Sequence, residues 1–455
     1  MRPMNPVPAG DALRPSSWSF PVPTGLLTDH YELTMVDAAL RSGVAGHRSV
    51  FECFCRSLPE GRRYGVVAGT DRVIEAIEQF RFDDAALDWL AGQRFLQPAT
   101  LDWLAWYRFR GTVTGYAEGD LYLPGSPILT VEATFAEAVV LETLVLSILN
   151  YDCAVAAAGS RMVTAAAGRP LIEAGSRRTS EYAAPAAARA AYLTGFAVTS
   201  NLEAGRRWGV PTGGTAAHAF VLAHRDERRA FEAQVALAGP GTTLLVDTFD
   251  LAEGIRNAVA VAGPGLGAIR IDSGDLLNES RFARALLDEL GATGTQIVLS
   301  GDLDEWSIEA LVRGGAVVDR MLVGTRLVTG SGAPAAGLVY KLVAAADRSD
   351  PSAPLLPVAK RSTGKATVGG RKHAFRRLDG DGRAVAEFVV LDPVGAARTG
   401  NGEVRPLQLP YIVDGDTVQR PSLADARAAH VRARHELGPD GLALGPGEPA
   451  IPLQR

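Results

Sequence analysis

Cysteine is scarce: Cys53, Cys55 and Cys153 are the only three in a chain of 455 residues. They are too few for a disulfide framework, and no CxxC pair or histidine-rich companion makes them a zinc site. Buried thiols in a reducing, cytoplasmic setting are expected. Long apolar runs are missing too. The most apolar stretch, 139–149, contains Glu142 and falls short of the roughly 20 apolar residues a membrane helix needs, so no membrane partner is expected. Residues 1–19, rich in proline and polar side chains, lack the apolar region of a signal peptide and read as a disordered tail. Nor is there a strong excess of charge of one sign. The 46 basic and 51 acidic residues leave a net charge of -5, which argues against a nucleic-acid partner. Cations do cluster between Lys360 and Arg377 (KRSTGKATVGGRKHAFRR), where a solvated loop and a contact to a phosphorylated small molecule are both open.

What the chain does have is length and a repeating pattern. A single core stops growing at roughly 250–300 residues, so two domains are expected. The first part reads as a helix over Tyr31–Leu40, a strand over Val50–Cys55 and a helix over Asp71–Phe80. Glycine- and proline-punctuated strands follow over Gly111–Val131, then a buried helix from about Glu137 to Asn150. Asp83 and Asp84, just before an apolar periodic run, read as a helix N-terminus. A βα pattern then begins. Seven runs read as strands: Leu171–Ala174, Phe196–Thr199, Val210–Gly214, and those around Leu244 (LLVD), Ala268 (AIRIDSG), Ile297 (IVLSGD) and Met321 (MLVGT). Buried parallel strands are near-continuous apolar runs, and in α/β barrels the chemistry gathers where their carboxyl ends meet the next loops. From Leu342 the pattern dissolves into mixed strands and loops.

The rim residues, in chain order, are Arg177 and Arg178, Asn201, His218, Asp247, Arg270 and Asp272, Gly301 and Asp302, then Gly324 and Thr325. Arginine grips a carboxylate or phosphate bidentately, carboxylates hold Mg²⁺ or sugar hydroxyls, and glycine lets backbone N–H groups approach a phosphate. Each type also has an ordinary structural use. An aspartate at a strand end can be a helix cap, His218 can be a hydrogen-bonded core residue, and Ser200 and Asn201 can cap the helix Leu202–Trp208.

Taken in order, TGLLTDHYELTM from Thr24, FECFCRSLP from Phe51, IEAGSRRT from Ile172, TSNLEAGRRWGVPTGGTAAHAF from Thr199, LLVDTFD from Leu244, IRIDSGDL from Ile269, LSGDLDE from Leu299, LVGTRLVT from Leu322 and GLVYKLV from Gly337 resemble nicotinate phosphoribosyltransferase. The resemblance spans roughly 24–377. It implies an irregular seven-stranded α/β barrel joined to an α+β domain with an open antiparallel sheet. The domains it implies are a tail (1–20), the α+β domain (21–150), the barrel (151–341) and a segment (342–455) packing back on the first domain. It implies a homodimer with shared active sites that joins nicotinate to phosphoribosyl pyrophosphate, with ATP as co-substrate and Mg²⁺ carried mainly by the diphosphate. His218 is implied as the histidine that ATP phosphorylates, with Asp247, Asp272 and Arg270 as the other catalytic residues. Tyr31, supplied by the partner subunit, and Arg177, Thr199, Ser200, Asn201, Gly301, Asp302, Gly324 and Thr325 are implied to bind substrate, and Arg56, Lys360 and Lys365 phosphate.

The chain departs from the family pattern in places. Ala174 stands where relatives often carry a larger side chain against the pyridine ring, Thr179, Ser180 and Glu181 lie in a variable stretch, and Ala219 follows His218 where serine is frequent. Nicotinamide or quinolinate as substrate, and a barrel that binds phosphoribosyl ligands without catalysis, are the competing possibilities. Asn201 favours nicotinate, because a carboxylate there would repel that of the substrate.

Overall fold

Two hydrophobic cores organise the chain in a computed structural model that describes residues 23–360, 368–391 and 403–454. The expected tail and Lys365 lie outside these residues. The first core lies against a seven-stranded antiparallel sheet in the order Leu356–Pro357, Leu338–Ala345, Arg48–Cys55, Leu129–Thr134, Thr112–Tyr116, Gln408–Val413, Asp416–Thr417. The interior strand RSVFECFC is nearly all buried, with Phe51 stacked on Tyr340 and Glu52 paired with Lys372 at 2.6 Å. The sheet draws strands from both ends of the chain: Gln408–Val413 pairs with Thr112–Tyr116.

A helix over Phe135–Val139, opened by a capping box between Thr134 and Glu137, leads into a 24-residue helix, Glu142–Ala165. The helix expected to stop near Asn150 therefore runs on. Residues 151–165 contain no proline, and Gly159 is needed where a Cβ would come within 2.6 Å of Thr194 Oγ1. The span Phe135–Ala165 is long and apolar enough to cross a membrane, but 67% of its apolar window is buried, and it is a core helix between the two units. Its buried charges are paired, Asp152 with Arg72 at 2.5 Å and Arg161 with Glu305 at 3.0 Å.

The second core belongs to a parallel sheet of six strands in the order Val198–Thr199, Leu171–Glu173, Arg320–Val323, Gln296–Leu299, Ala268–Ile271, Thr243–Leu245. Six, not seven, is the correction. The run Val210–Gly214 makes only an isolated parallel bridge, Thr199 to Thr212. Pro211 has no N–H to donate and the glycines beyond it have no side chain to pack. Parallel pairing puts all the strand ends on one rim.

The helices that follow the strands are capped by acids a few residues past those ends. Asp250, Asp275 and Asp304 accept from backbone N–H groups of Leu251–Ala262, Leu276–Glu289 and Glu305–Arg313. The ordinary capping role is thus filled, and Asp247, Asp272 and Asp302 remain at the rim for other uses. Arg376, fully buried, ties the C-terminal segment to the rest through Asp120, Glu387 and Glu436 at 2.7–2.9 Å.

Candidate active site

His218 opens the seven-residue helix His218–His224, and Thr215, Ala216 and Ala217 separate it from the glycine pair Gly213–Gly214. Its Nδ1 lies 3.1 Å from Thr248 Oγ1. Its Nε2 lies 3.9 Å from Asp247 Oδ1 and 3.8 Å from Asp272 Oδ2, so one ring edge faces two carboxylates. Asp247 is held by its other oxygen, which accepts from the Asp272 backbone N–H (2.8 Å) and from Ser273 Oγ (2.9 Å). Its Oδ1 is buried and has no hydrogen-bond partner among the described residues.

Asp272 Oδ1 accepts from Arg270 Nη2 at 2.7 Å and from Ser300 Oγ, while Arg270 Nε donates to Ser300 Oγ at 2.9 Å. Burial pushes the Asp272 carboxyl up, but the hydrogen bonds from Ser300 and Arg270 and the nearby charges outweigh it and leave the group below its ordinary range. Asp272 therefore stays anionic at neutral pH, and Arg270 is locked with its guanidinium in the barrel wall. Gly301, with φ +122, has no room for a side chain: a Cβ would lie 2.7 Å from the Asp272 carbonyl. Asp302 follows at φ +47, and its carboxylate lies 3.4 Å from Thr325 Oγ1, which connects the loops after two neighbouring strands.

A cavity of about 440 Å³ opens inside this rim, lined by Ala174, Ser176, Arg177, Ser200, the turn 213–217 and Arg270. Arg177 is exposed and makes no ion pair or hydrogen bond among the described residues, whereas Arg270 is bound to Asp272 and Ser300. A larger cleft of about 1050 Å³ beside Trp103 and Trp106 contains none of the expected residues. Of the expected residues, Arg177, Ser200 and Arg270 line the smaller space, whereas His218, Asp247 and Asp272 stand outside its lining.

Not every expected residue is brought there. Thr199 is 1% exposed and spends its hydroxyl on Glu173. Asn201 caps its helix through Ala204 N (2.8 Å) and also donates to Ser176 Oγ (3.0 Å), so its structural and site roles coexist. Gly324 precedes the short helix Thr325–Val328. Tyr31, 47% exposed, sits beside Glu142 and Glu32, away from the cavity; burial and then those acids push its hydroxyl up to about 12. Arg56 and Lys360 are exposed and do not line the cavity. Thr248, Ser273, Ser300 and Glu173 were not singled out from sequence, although each lies within a quoted motif. Small hydroxyls carry no sequence signal that separates an orienting role from a turn.

The family model for the nicotinate phosphoribosyltransferase N-terminal domain matches residues 26–150. The chain is 57% identical to the nicotinate phosphoribosyltransferase pncB1 of Mycobacterium tuberculosis over 95% of both chains. It is 39% identical to the nicotinate phosphoribosyltransferase of Bacillus subtilis over 78% of this chain and 73% of that one. Among solved structures, human nicotinic acid phosphoribosyltransferase superposes with a TM-score of 0.80 at 27% identity, covering 94% of this chain and 98% of that one.

Proposed function

The chain belongs to the nicotinate phosphoribosyltransferase family, and from that premise we propose how its rim residues carry the reaction. It is an enzyme of NAD salvage that converts nicotinate and phosphoribosyl pyrophosphate to nicotinate mononucleotide and pyrophosphate. The observation that supports the residue roles is the convergence of His218, Asp247, Asp272 and Arg270 beside a cavity bearing an unpaired arginine.

Nicotinate lies in the cavity with its carboxylate on Arg177, the one guanidinium there with nothing else to bind. The pyridine nitrogen has a free lone pair and attacks C1 of the ribose without a general base. Stabilising charge is then the main requirement. As the bond to pyrophosphate breaks, the ribose gains oxocarbenium character, and the anionic Asp247 and Asp272 sit where a developing cation is favoured. The same carboxylates, with the unpartnered Asp247 Oδ1 foremost, suit a Mg²⁺ carried by the diphosphate; Mg²⁺ would neutralise the leaving group. Gly301, Asp302, Gly324 and Thr325 cradle the ribose hydroxyls and 5′-phosphate, with backbone N–H groups at close approach.

ATP enters through His218. A ring nitrogen takes the γ-phosphoryl group, ADP leaves, and water later releases phosphate from the phosphohistidine. Thr248 fixes the ring, and the two carboxylates beside Nε2 stabilise the cationic imidazole that phosphorylation creates. The functional unit is a homodimer in which Tyr31 reaches the base of the neighbouring subunit. Exposed apolar side chains beyond the carboxyl ends of the barrel strands, Tyr182 (66%), Leu202 (78%) and Phe249 (61%), support such a contact, as does Tyr31 standing free of its own cavity. The three cysteines are all free and buried, in keeping with a cytoplasmic enzyme.

The test is mononucleotide formation from nicotinate, phosphoribosyl pyrophosphate and Mg²⁺, with and without ATP, beside nicotinamide and quinolinate. ATP-stimulated turnover of nicotinate with ADP release is expected. Faster turnover of either rival substrate would overturn the assignment.

A further inference from the structure

Glu173 is the last residue of the strand Leu171–Glu173, 1% exposed, and no cation pairs with it among the described residues. Its carboxylate is nevertheless fully used. Oε1 accepts from the Gly175 backbone N–H and Oε2 from the Thr199 hydroxyl, both at 2.5 Å. Thr199 Oγ1 in turn accepts from Asn201 N at 2.9 Å, and Asn201 Nδ2 donates to Ser176 Oγ at 3.0 Å. The Glu173 carbonyl also accepts from Ser200 N at 2.8 Å. One buried side chain thus starts a closed circuit through two loops, 174–178 and 200–201. These loops carry Ala174, Ser176, Arg177 and Ser200 into one wall of the 440 Å³ cavity. Gly175 has no slack of its own: a Cβ there would lie 2.3 Å from Val328 Cγ1, so this loop is wedged on its other side and its height is set from Glu173.

We infer that Glu173 is a positioning residue for the pyridine-binding wall: it sets the Arg177 loop against the Ser200–Asn201 loop and so tunes affinity for nicotinate without touching substrate. Burial without a cation raises its carboxyl above the ordinary range, while the Thr199 and Gly175 bonds oppose that rise. A merely structural acid would have little reason to remain at this cost when an apolar residue fills the same space. The diphosphate and ribose side of the site, built from Asp247, Asp272 and Gly301, shares none of the hydrogen bonds in this circuit. Affinity for phosphoribosyl pyrophosphate is therefore independent of Glu173.

This inference rests on nicotinate being the substrate, and wild-type turnover in the same assay checks that premise separately. Glu173→Gln keeps one acceptor and the side-chain volume; Thr199→Val removes the hydroxyl and leaves the acid in place. For each, loss of one such bond should raise the KM for nicotinate by about tenfold, with kcat within about twofold and the KM for phosphoribosyl pyrophosphate unchanged. In the double variant the two effects should combine to less than their product, because they break one circuit. Glu173→Asp, too short to span both donors, should fail to restore affinity. An unchanged nicotinate KM in folded Glu173→Gln, or an equal rise in both KM values, would overturn the positioning role. A wild type that turns over no nicotinate would instead count against the functional assignment.

Discussion

Replacing Asp247 by Asn isolates one charge at the site. One oxygen of the side chain already serves the Asp272 N–H and Ser273 Oγ, and an amide oxygen can keep both bonds. The other oxygen has no partner among the described residues, so the new NH₂ displaces none of their bonds. The fold should survive with its melting temperature little changed, and what disappears is a negative charge 3.9 Å from His218 Nε2. Two unit charges at that distance attract by about 4 kcal/mol at an effective dielectric of about 20. The His218 side chain is 39% exposed, and solvent screening reduces the effect to about 1–2 kcal/mol, or roughly 5- to 30-fold in rate. Asp272, at 3.8 Å from the same nitrogen, prevents a complete loss. The assay is the ATP-stimulated increment in nicotinate mononucleotide formation, with phosphohistidine followed by transfer of label from γ-³²P ATP. A folded Asp247→Asn enzyme with wild-type labelling and wild-type stimulation would refute the electrostatic role.

Three further outcomes are expected. His218→Ala should abolish ATP stimulation and ADP release but keep a slow ATP-independent turnover, since ring-nitrogen attack needs no histidine; unchanged ATP dependence would contradict the assignment. Arg177→Gln should raise the KM for nicotinate by roughly 10- to 100-fold and leave nicotinamide binding nearly unaltered, measured by competition; equal effects on both ligands would remove the arginine from the carboxylate. His430 is buried against Gly119 O and Ser160 Oγ. Burial first, then Arg434, holds its pKa down from an ordinary 6.5 to about 4. Between those values the unfolded chain binds the extra proton, so stability is complete above about pH 6.5 and falls as the pH drops toward 4, by about 3 kcal/mol in all. Melting curves across that window, compared with His430→Gln, check the sign; a parallel decline in the variant would exclude His430 as its source.

The site was legible from sequence where residue type and local spacing suffice. Asp247, Arg270 and Asp272 stand at strand ends whose apolar runs are unmistakable, and Asp250, Asp275 and Asp304 supply the helix caps that competed for the same assignment. Thr199 was harder. A threonine at a strand end looks the same whether its hydroxyl faces a ligand or a buried acid, and only the neighbouring strand decides that it faces Glu173. The run Val210–Gly214 reads as a strand by composition, but pairing needs donors, and Pro211 withholds one. The helix that reads from about Glu137 to Asn150 continues to Ala165, and its further turns carry Asp152 and Arg161 within alanine-rich text. Both charges are neutralised inside by Arg72 and Glu305, partners distant in sequence.

The sequence alone determined the class of chemistry: ordered motifs specify a phosphoribosyl-transferring barrel because phosphate, carboxylate and ribose each demand particular side chains at strand ends, and strand ends are locally encoded. Tertiary structure alone decided which of those side chains are free to act. A carboxylate or guanidinium becomes available or spent according to partners that arrive from elsewhere in the chain. So it is that Arg177 is open and Arg270 held by Asp272, that Asp247 keeps one oxygen without a partner among the described residues, and that Tyr31 stands away from the cavity.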